Sequence, residues 1–254
     1  MSRKYVLIVV TTVVLLTACR SHYGVASVER TRILVDARYD NYQDARAVEF
    51  MTHYQQVVDS VMGPVVGRSA KYMTPHRPES ELSNLLADIM VWAADAYHEH
   101  PDFGVYNMGG VRADLPQGDV TYGDVLDIAP FENKIAFVTL TGEEVLELFS
   151  QFASTGGEGV SHGVNLVITQ DGKLVSASLK GEPIDPKRDY RIATIDYLIG
   201  GNDKMLAFQK SKQVNSPQEY ENNTRFIIMN YFREMQKQGK VVNAEIEGRV
   251  TIKN

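Results

Sequence analysis

The apolar positions along the chain alternate between helical and extended spacing. Over 42–62, Ala47, Phe50, Met51, Tyr54, Val57, Val58 and Val61 recur at three and four residues, the signature of a helix with one apolar face. Gly63-Pro64 stops that pattern, and "VVGRSAKYM" (65–73) then alternates as a strand does. A second helix is expected from 79 to about 98, with Leu82, Leu85, Leu86, Ile89, Met90, Ala93 and Tyr97 on one side. "FGVYN" (103–107) reads as a short buried strand, "YGDVLDIA" (122–129) as a short helix and "KIAFVTLT" (134–141) as a strand. Thr141 caps a helix over 142–153, with Glu144 spaced to close a capping box. Further strands are expected at 163–169, 174–180 and 190–195, a long helix at about 218–238 and a closing strand near 245–252. Near the front, 27–37 is rich in valine, isoleucine and arginine and reads as an extended strand. Helices and strands alternate irregularly, with hairpins in the second half, so the expected class is α+β, a mixed sheet with packed helices. There is no internal repeat.

The front end changes the picture. Arg3 and Lys4 precede an uncharged apolar run over 5–16 that closes in Leu16-Thr17-Ala18-Cys19. A membrane-spanning helix needs about 20 apolar residues, so the run reads as a secretory signal, 1–18. Cys19 is the single cysteine, so no internal disulfide forms, and its place after small residues fits a bacterial lipoprotein signal. The alternative is an ordinary signal with a chance cysteine. On the lipoprotein reading the protein is exported, lipid-anchored to a membrane of the cell envelope through Cys19, with 19–26 as a tether and 27–254 as one domain. Its net charge is −6, and removal of 1–18 leaves 24 basic against 32 acidic residues, or −8. An acidic chain of this kind is not expected to bind nucleic acid, which demands basic surfaces.

Candidate chemistry is concentrated in "YNMGGVRADLPQGDVTYGDVLDIAPFEN" (106–133). Gly109-Gly110 follows a buried strand and precedes Arg112. Such a pair allows positive φ and close backbone approach. Two readings stand: a structural turn with a salt-bridged arginine, or an anion site in which the guanidinium fork takes phosphate or carboxylate. Phe131, after Pro130 at a helix-to-strand corner, is either a buried aromatic or an exposed platform for a flat heterocycle. Downstream, "ATIDYLIGGNDKM" (193–205) places Tyr197, Gly200-Gly201 and Asp203 at a strand end. Two rings, a carboxylate and an arginine suffice to hold a nucleoside and its phosphate. The histidines at 22, 53, 76, 98, 100 and 162 are scattered. Only His98-Glu99-His100 clusters, and residues two apart on a helix point to different sides; a frayed end would let them chelate a metal. No Gly-x-Ser-x-Gly elbow is present.

"ELSNLLAD" (81–88), the 107–133 stretch and "YRIATIDYLIGGND" (190–203), in this order and at these separations, resemble the C-terminal, substrate-binding domain of the 5′-nucleotidase and UDP-sugar hydrolase family. The resemblance covers about 27–253. It implies an α+β nucleotide-recognition module in which two rings sandwich the base. By position, Phe131 and Tyr197 look like those rings, tyrosine keeping the stacking face of the usual phenylalanine. Arg112 resembles the substrate arginine, Asn107 and Asn133 the neighbouring amide contacts, and Asp203 the carboxylate for ribose hydroxyls. A further family arginine falls on His76 by strict alignment, with Arg77 next door taking the role. The glycine-rich loop "GGEGVSHG" (156–163), with His162, lies near the substrate cleft in that family. Asn202, Lys204 and Glu132 replace glycines common there, and put bulk and charge beside the base pocket.

Family enzymes cut the phosphate ester with two metal ions held by a separate metallophosphatase domain, signed by Asp-x-His, Gly-Asn-His-Glu/Asp and Gly-His-x-His. None of these occurs in the 254 residues. The resemblance then implies a nucleotide-recognition subunit, without catalytic residues or cofactor of its own, working with a separate metallophosphatase chain that carries the divalent metals. The alternatives are a lipoprotein that captures a nucleotide or nucleoside without cutting it, or a degenerate structural or interaction module.

Overall fold

The computed structural model describes residues 24–40 and 44–253, so the expected signal (1–18) and Cys19 lie outside the described residues. The chain divides into two units, residues 1–50 and 51–254. In the first, 24–35 has no regular structure, and a single 3-10 turn, Ala37–Tyr39, is capped by the Asp36 carboxylate. The strand expected over 27–37 does not form. Val28, Ile33 and Val35 stay exposed, so no burial offsets the entropy of ordering the segment. Helix α1 (Ala45–Met62) has the expected bounds within three residues, and its apolar positions Met51, Val57, Val58 and Val61 are about half exposed. Among the described residues no helix is long and apolar enough to cross a membrane.

The second unit holds the core. Its strands are β1 (Val65–Ser69), β2 (Phe103–Tyr106), β3 (Gly118–Thr121), β4 (Ile135–Thr141), β5 (Gly159–Val160), β6 (Val164–Thr169), β7 (Leu174–Leu179), β8 (Glu182–Pro183), β9 (Asp189–Ile195), β10 (Lys212–Asn215) and β11 (Val250–Lys253). Between them run α2 (Glu81–Ala93), α3 (Tyr122–Ile128), α4 (Gly142–Ser154), the one-turn α5 (Asp196–Ile199) and α6 (Thr224–Lys237). The central sheet has the order β10-β4-β9-β2-β5. The β2–β9 pair is parallel and its other pairs are antiparallel, as a mixed sheet requires. A second sheet, β11-β6-β7-β8, and the small β1–β3 ladder complete it.

Local sequence explains most boundaries. Ser80 with Ser83, Thr121 with Asp124 and Thr141 with Glu144 each form a reciprocal capping box at the start of α2, α3 and α4. β4 is buried through six of its seven residues because it is paired on both sides and covered by helices, which is why "IAFVTL" carries no alternation. The core joins Phe103, Phe137, Phe149, Phe152, Phe208 and Phe232, all fully buried.

Three expected elements are shorter than their patterns. The helix of 79–98 is α2 followed by a 3-10 turn, Ala94–Tyr97, closed by His98 at φ +56°. The helix of 218–238 begins only at Thr224, because Asn223 is held extended (ψ 134°) by bridging to Lys134. The closing strand starts at Val250. Upstream of it the backbone is held by side chains instead of a ladder: Asn84 Nδ2 donates to the Glu245 carbonyl (2.9 Å) and the Glu247 N–H to Glu79 Oε1 (2.8 Å).

Glu99, whose neighbours suggested a chelate, is occupied elsewhere. Arg191 Nε and Nη2 donate to its two carboxylate oxygens at 2.8 and 2.6 Å, and Asn215 Nδ2 adds a third bond at 2.8 Å. Arg191 also reaches the Gln213 carbonyl at 2.6 Å, so the pair fastens edge strand β10 to the sheet. The guanidinium holds the Glu99 carboxyl below the ordinary glutamate range, more than burial raises it. A depressed carboxyl pKa contributes stability above the unfolded value and loses it as pH falls through the folded one. Glu99→Gln is therefore expected to cost about 2 kcal/mol at pH 7, since it uncharges one side of a half-desolvated pair. The difference from wild type should shrink as pH drops below about 4.5, the ordinary glutamate value. Urea unfolding at pH 7 and pH 3.5 checks it; an equal deficit at both pH values would rule the linkage out.

Candidate functional site

Three connections emerge at one end of the central sheet. β2 and β9 run parallel, with Phe103 opposite Ile192, so the chain leaves both at the same edge. β4 is antiparallel to β9 and starts there, with Ile135 opposite Ile195. The segment after β2 carries Asn107, Gly109 and Gly110. The one before β4 carries Phe131 and Asn133, and the one after β9 carries Tyr197 and Asp203. These seven residues line one solvent-open pocket of about 120 Å³. That is below the range of most ligand sites, roughly 300–1,000 Å³. Candidate residues separated by almost a hundred positions in sequence are thus brought together by strand pairing alone.

The wall carrying Phe131 is bolted down. Arg225 Nη2, at the start of α6, donates to the Pro130 carbonyl (3.0 Å), and the Thr224 N–H donates to the Asn133 carbonyl (2.9 Å). Lys134 Nζ donates to Asn223 Oδ1 (2.6 Å). Lys134 also ties this wall to the next: its N–H donates to Asp196 Oδ1 (3.0 Å) and its carbonyl accepts from the Asp196 N–H (2.9 Å). Phe131 itself is 47% exposed and Tyr197 39% exposed, so both rings present faces to solvent beside rigid backbone. Phe131 is therefore not the buried aromatic of the first reading; its ring is exposed. Glu132 and Lys204, the charged replacements at glycine positions, lie outside the lining.

The pocket floor is polar. Asn107 is buried, its Nδ2 donating to Asp203 Oδ2 at 2.5 Å, and the Tyr197 hydroxyl donates to Asp203 Oδ1 at 3.0 Å. Bonding to a carboxylate fixes which way the Asn107 amide faces, and its Oδ1 is left buried without a partner. Asp203 raises the pKa of the Tyr197 phenol, chiefly because the hydrogen bond stabilises the protonated form. Asp203 and Lys204 have φ of +54° and +66°, the left-handed region that side chains with a Cβ avoid.

The Gly-Gly pair is needed for space, not for its torsions. Neither Gly109 nor Gly110 has positive φ. A Cβ on Gly110 would stand 2.7 Å from Asn107 Oδ1, and one on Gly109 3.0 Å from Asp203 Oδ2. The glycines let the floor's two polar side chains come against the backbone.

The two arginines stand outside the lining. Arg112 is exposed, and its Nη1 donates a long hydrogen bond to the Gly109 carbonyl at 3.5 Å. Arg77 pairs with Glu158, a residue that sequence reasoning passed over. Glu158 is buried, and its other oxygen accepts the Met108 N–H (2.7 Å). It therefore links Arg77 to the turn that carries Asn107 and Gly109. Burial drives its pKa up, against the opposing pull of the Met108 N–H and of Arg77. The only sign of it in sequence was an acid set between glycines in "GGEG". His162, from the same loop, is placed elsewhere: its Nδ1 lies 2.8 Å from Glu247 Oε2, in a separate groove with Arg249 and Lys180. Among the described residues no three His, Cys, Asp or Glu side chains converge as a metal's ligands would.

Residues 62–210 match the family model of the 5′-nucleotidase C-terminal domain. The chain belongs to this family. Protein UshA of Escherichia coli (strain K12) is 33% identical to it over 118 residues, covering 45% of this chain and 21% of that protein. Cell wall protein Lmo0130 of Listeria monocytogenes is 28% identical over 200 residues, 69% of this chain and 24% of that protein. Among solved structures, the 5′-nucleotidase precursor from Thermus thermophilus matches with a TM-score of 0.71 at 26% identity, over 84% of this chain and 44% of that one. The chain thus spans about a quarter or less of those two relatives and under half of the solved structure. The α+β fold is that of 5′-nucleotidase C-terminal domains.

Proposed function

We propose that this protein is a nucleotide-recognition subunit: it holds the base and sugar of a nucleotide for a metallophosphatase on a separate chain, which supplies the divalent metals and cuts the phosphate ester. The observation that carries this reading is the pocket at the end of β2, β4 and β9, where two exposed rings flank a carboxylate that is already oriented. Rings offer stacking faces to any base, and an ionised carboxylate accepts from hydroxyl groups. Arg112, exposed beside Gly109, is the residue assigned to the phosphate, with Arg77 behind it on Glu158. Asn133, at the mouth, is assigned to the base edge. The likeness to relatives named as 5′-nucleotidases supports a role beside a phosphohydrolase.

The same reading puts the protein in the cell envelope, held to a membrane by lipid on Cys19. The short apolar leader ending at that cysteine supports it, and so does the likeness to a relative named as a cell wall protein. A second reading is capture of a nucleotide or nucleoside without hydrolysis, for which the two rings, Asn107 and Asp203 of the pocket offer stacking faces and hydrogen-bonding groups.

The test mixes the purified chain with the metallophosphatase and follows phosphate release from nucleoside monophosphates. A lower KM or higher kcat in the presence of this chain is expected. Identical kinetics with and without it would end the split-enzyme reading, and tight nucleotide binding in that case would leave capture alone. By itself, with Mn²⁺, Zn²⁺ or Mg²⁺, the chain is expected to release no phosphate above background.

A further inference from the structure

We infer that residues 28–35 are a docking segment: they become a strand when added to an open sheet edge of the metallophosphatase chain. This rests on the two-chain reading proposed above and specifies how the partner is held.

The segment has the composition of a strand and none of its bonds. In extended form "VERTRILV" puts Thr31, Ile33 and Val35 on one side, and Arg30 and Arg32 on the other with Val28 and Leu34. Ile33 is 72% and Val35 94% exposed, and among the described residues no backbone N–H or C=O of 24–35 is paired. A sheet edge supplies what is missing: it pairs the backbone and covers the Thr31, Ile33 and Val35 side, which together offset the entropy of ordering the chain.

The protein's own edges do not fit. Among the described residues six strands end sheets: β1, β3, β5, β8, β10 and β11. β5 and β8 have two residues each, and β8 includes Pro183, which has no N–H. β1 is already bridged to Val242. β10 has four residues, with Gln213 at φ +48° and its carbonyl taken by Arg191. β3 and β11 also have four, so either would leave half of an eight-residue strand unpaired. A second copy offers only these same edges. A membrane surface is close on the lipid-anchored reading, since Cys19 lies eight positions before Ser27, but lipid has no partners for backbone N–H and C=O groups, and each buried unpaired costs free energy.

A metallophosphatase on another chain is the partner the proposed role already requires. Nine residues, 36–44, separate the segment from α1, or about 30 Å at full extension. A phosphohydrolase held at 28–35 therefore stays at high effective concentration beside the chain that recognises the nucleotide.

The test uses the geometry of an added strand, in which alternate residues turn their N–H and C=O to the partner and those between turn them away. Proline is tolerated only at the second kind of position. Proline is placed singly at 30, 31, 32 and 33 of the full chain (Arg30→Pro, Thr31→Pro, Arg32→Pro, Ile33→Pro), each read against alanine at the same position so that the side chain's part cancels. Binding is titrated against the purified metallophosphatase of the same organism that lacks a recognition domain of its own, with thermal unfolding as the control. One alternate pair of prolines is expected to weaken binding about tenfold or more relative to alanine, and the other to stay within about threefold. A loss equal at all four positions, or at none, overturns the inference while leaving the two-chain reading intact wherever phosphate release still responds to this chain. If wild type neither binds the metallophosphatase nor alters its kinetics, the two-chain reading itself fails and the inference falls with it. Light scattering that shows self-association abolished by the same prolines assigns the segment to a second copy and overturns the inference. So does adsorption to anionic phospholipid vesicles that the prolines leave unchanged and Arg30→Gln/Arg32→Gln abolishes, which assigns it to the membrane.

Discussion

The double substitution Phe131→Ala/Tyr197→Ala is expected to lower nucleotide affinity by more than about a hundredfold while leaving the fold intact. Stacking of a base on an aromatic ring contributes about 1–3 kcal/mol per contact, and the two rings are the apolar faces of the pocket. Both are around half exposed, so truncating them opens no core cavity, and the stability change should stay within about 1 kcal/mol. Calorimetric titration with a bound nucleotide, paired with thermal unfolding, reads both numbers. Each single alanine should show a smaller loss. Affinity of the double variant within about threefold of wild type would remove the rings from the recognition reading and favour a purely structural or interaction role.

Arg249→Ala is expected to be strongly destabilising, at about 2–3 kcal/mol, because it removes a buried cation whose acidic partners, Asp88 and Glu247, are each more than a third exposed and so partly screened. Arg249 is 3% exposed. Nη1 and Nη2 donate to the two Asp88 oxygens at 2.9 and 2.8 Å, Nε donates to Glu247 Oε2 at 2.9 Å, and Nη1 also reaches the Val160 carbonyl at 2.8 Å. The attraction of Asp88 and Glu247 raises the guanidinium's pKa despite the opposing effect of burial. Without it two acids face each other across a vacated space, and the segment before β11 loses the side chain that seats it. For a domain of this size the loss corresponds to a fall in Tm of about 10 °C. Hydrogen exchange at 250–253 should rise in parallel. Arg249→Met, which fills the volume without the charge, should recover little. Stability within about 1 kcal/mol of wild type in both variants would show that the network carries no net energy.

The helices were legible in sequence to the extent that their own residues define them. Thr141 and Glu144 mark the start of α4 without outside help, and the three- and four-residue spacing of Leu82, Leu85, Leu86 and Ile89 marks α2. Elements defined by partners were not. β10 contains Lys212, Gln213 and Asn215 and has no apolar alternation; it is a strand because β4 offers an edge and Arg191 grips the Gln213 carbonyl. The front segment errs the other way, with β-favouring residues and no edge to pair with. At the site, the rings, Asn107, Asn133 and Asp203, which the family resemblance had singled out, line one pocket. The reason for Gly109 was not visible, since a packing constraint from Asp203, ninety-four positions away, leaves no local trace. Glu158 was hidden for the same reason, its meaning depending on Arg77 and Met108 rather than on its neighbours.

The Asn107–Asp203 bond spans 96 positions, and the strands that deliver its two ends meet only as the parallel pair β2–β9. Contacts of such long range form late, after the loop between them has been closed and the strands of the sheet have found register. The pocket's floor is therefore complete only where the central sheet is assembled. A chain that binds its ligand has already assembled its central sheet, so binding capacity counts fully matured molecules in a preparation in a way that helix content, set by local signals, does not.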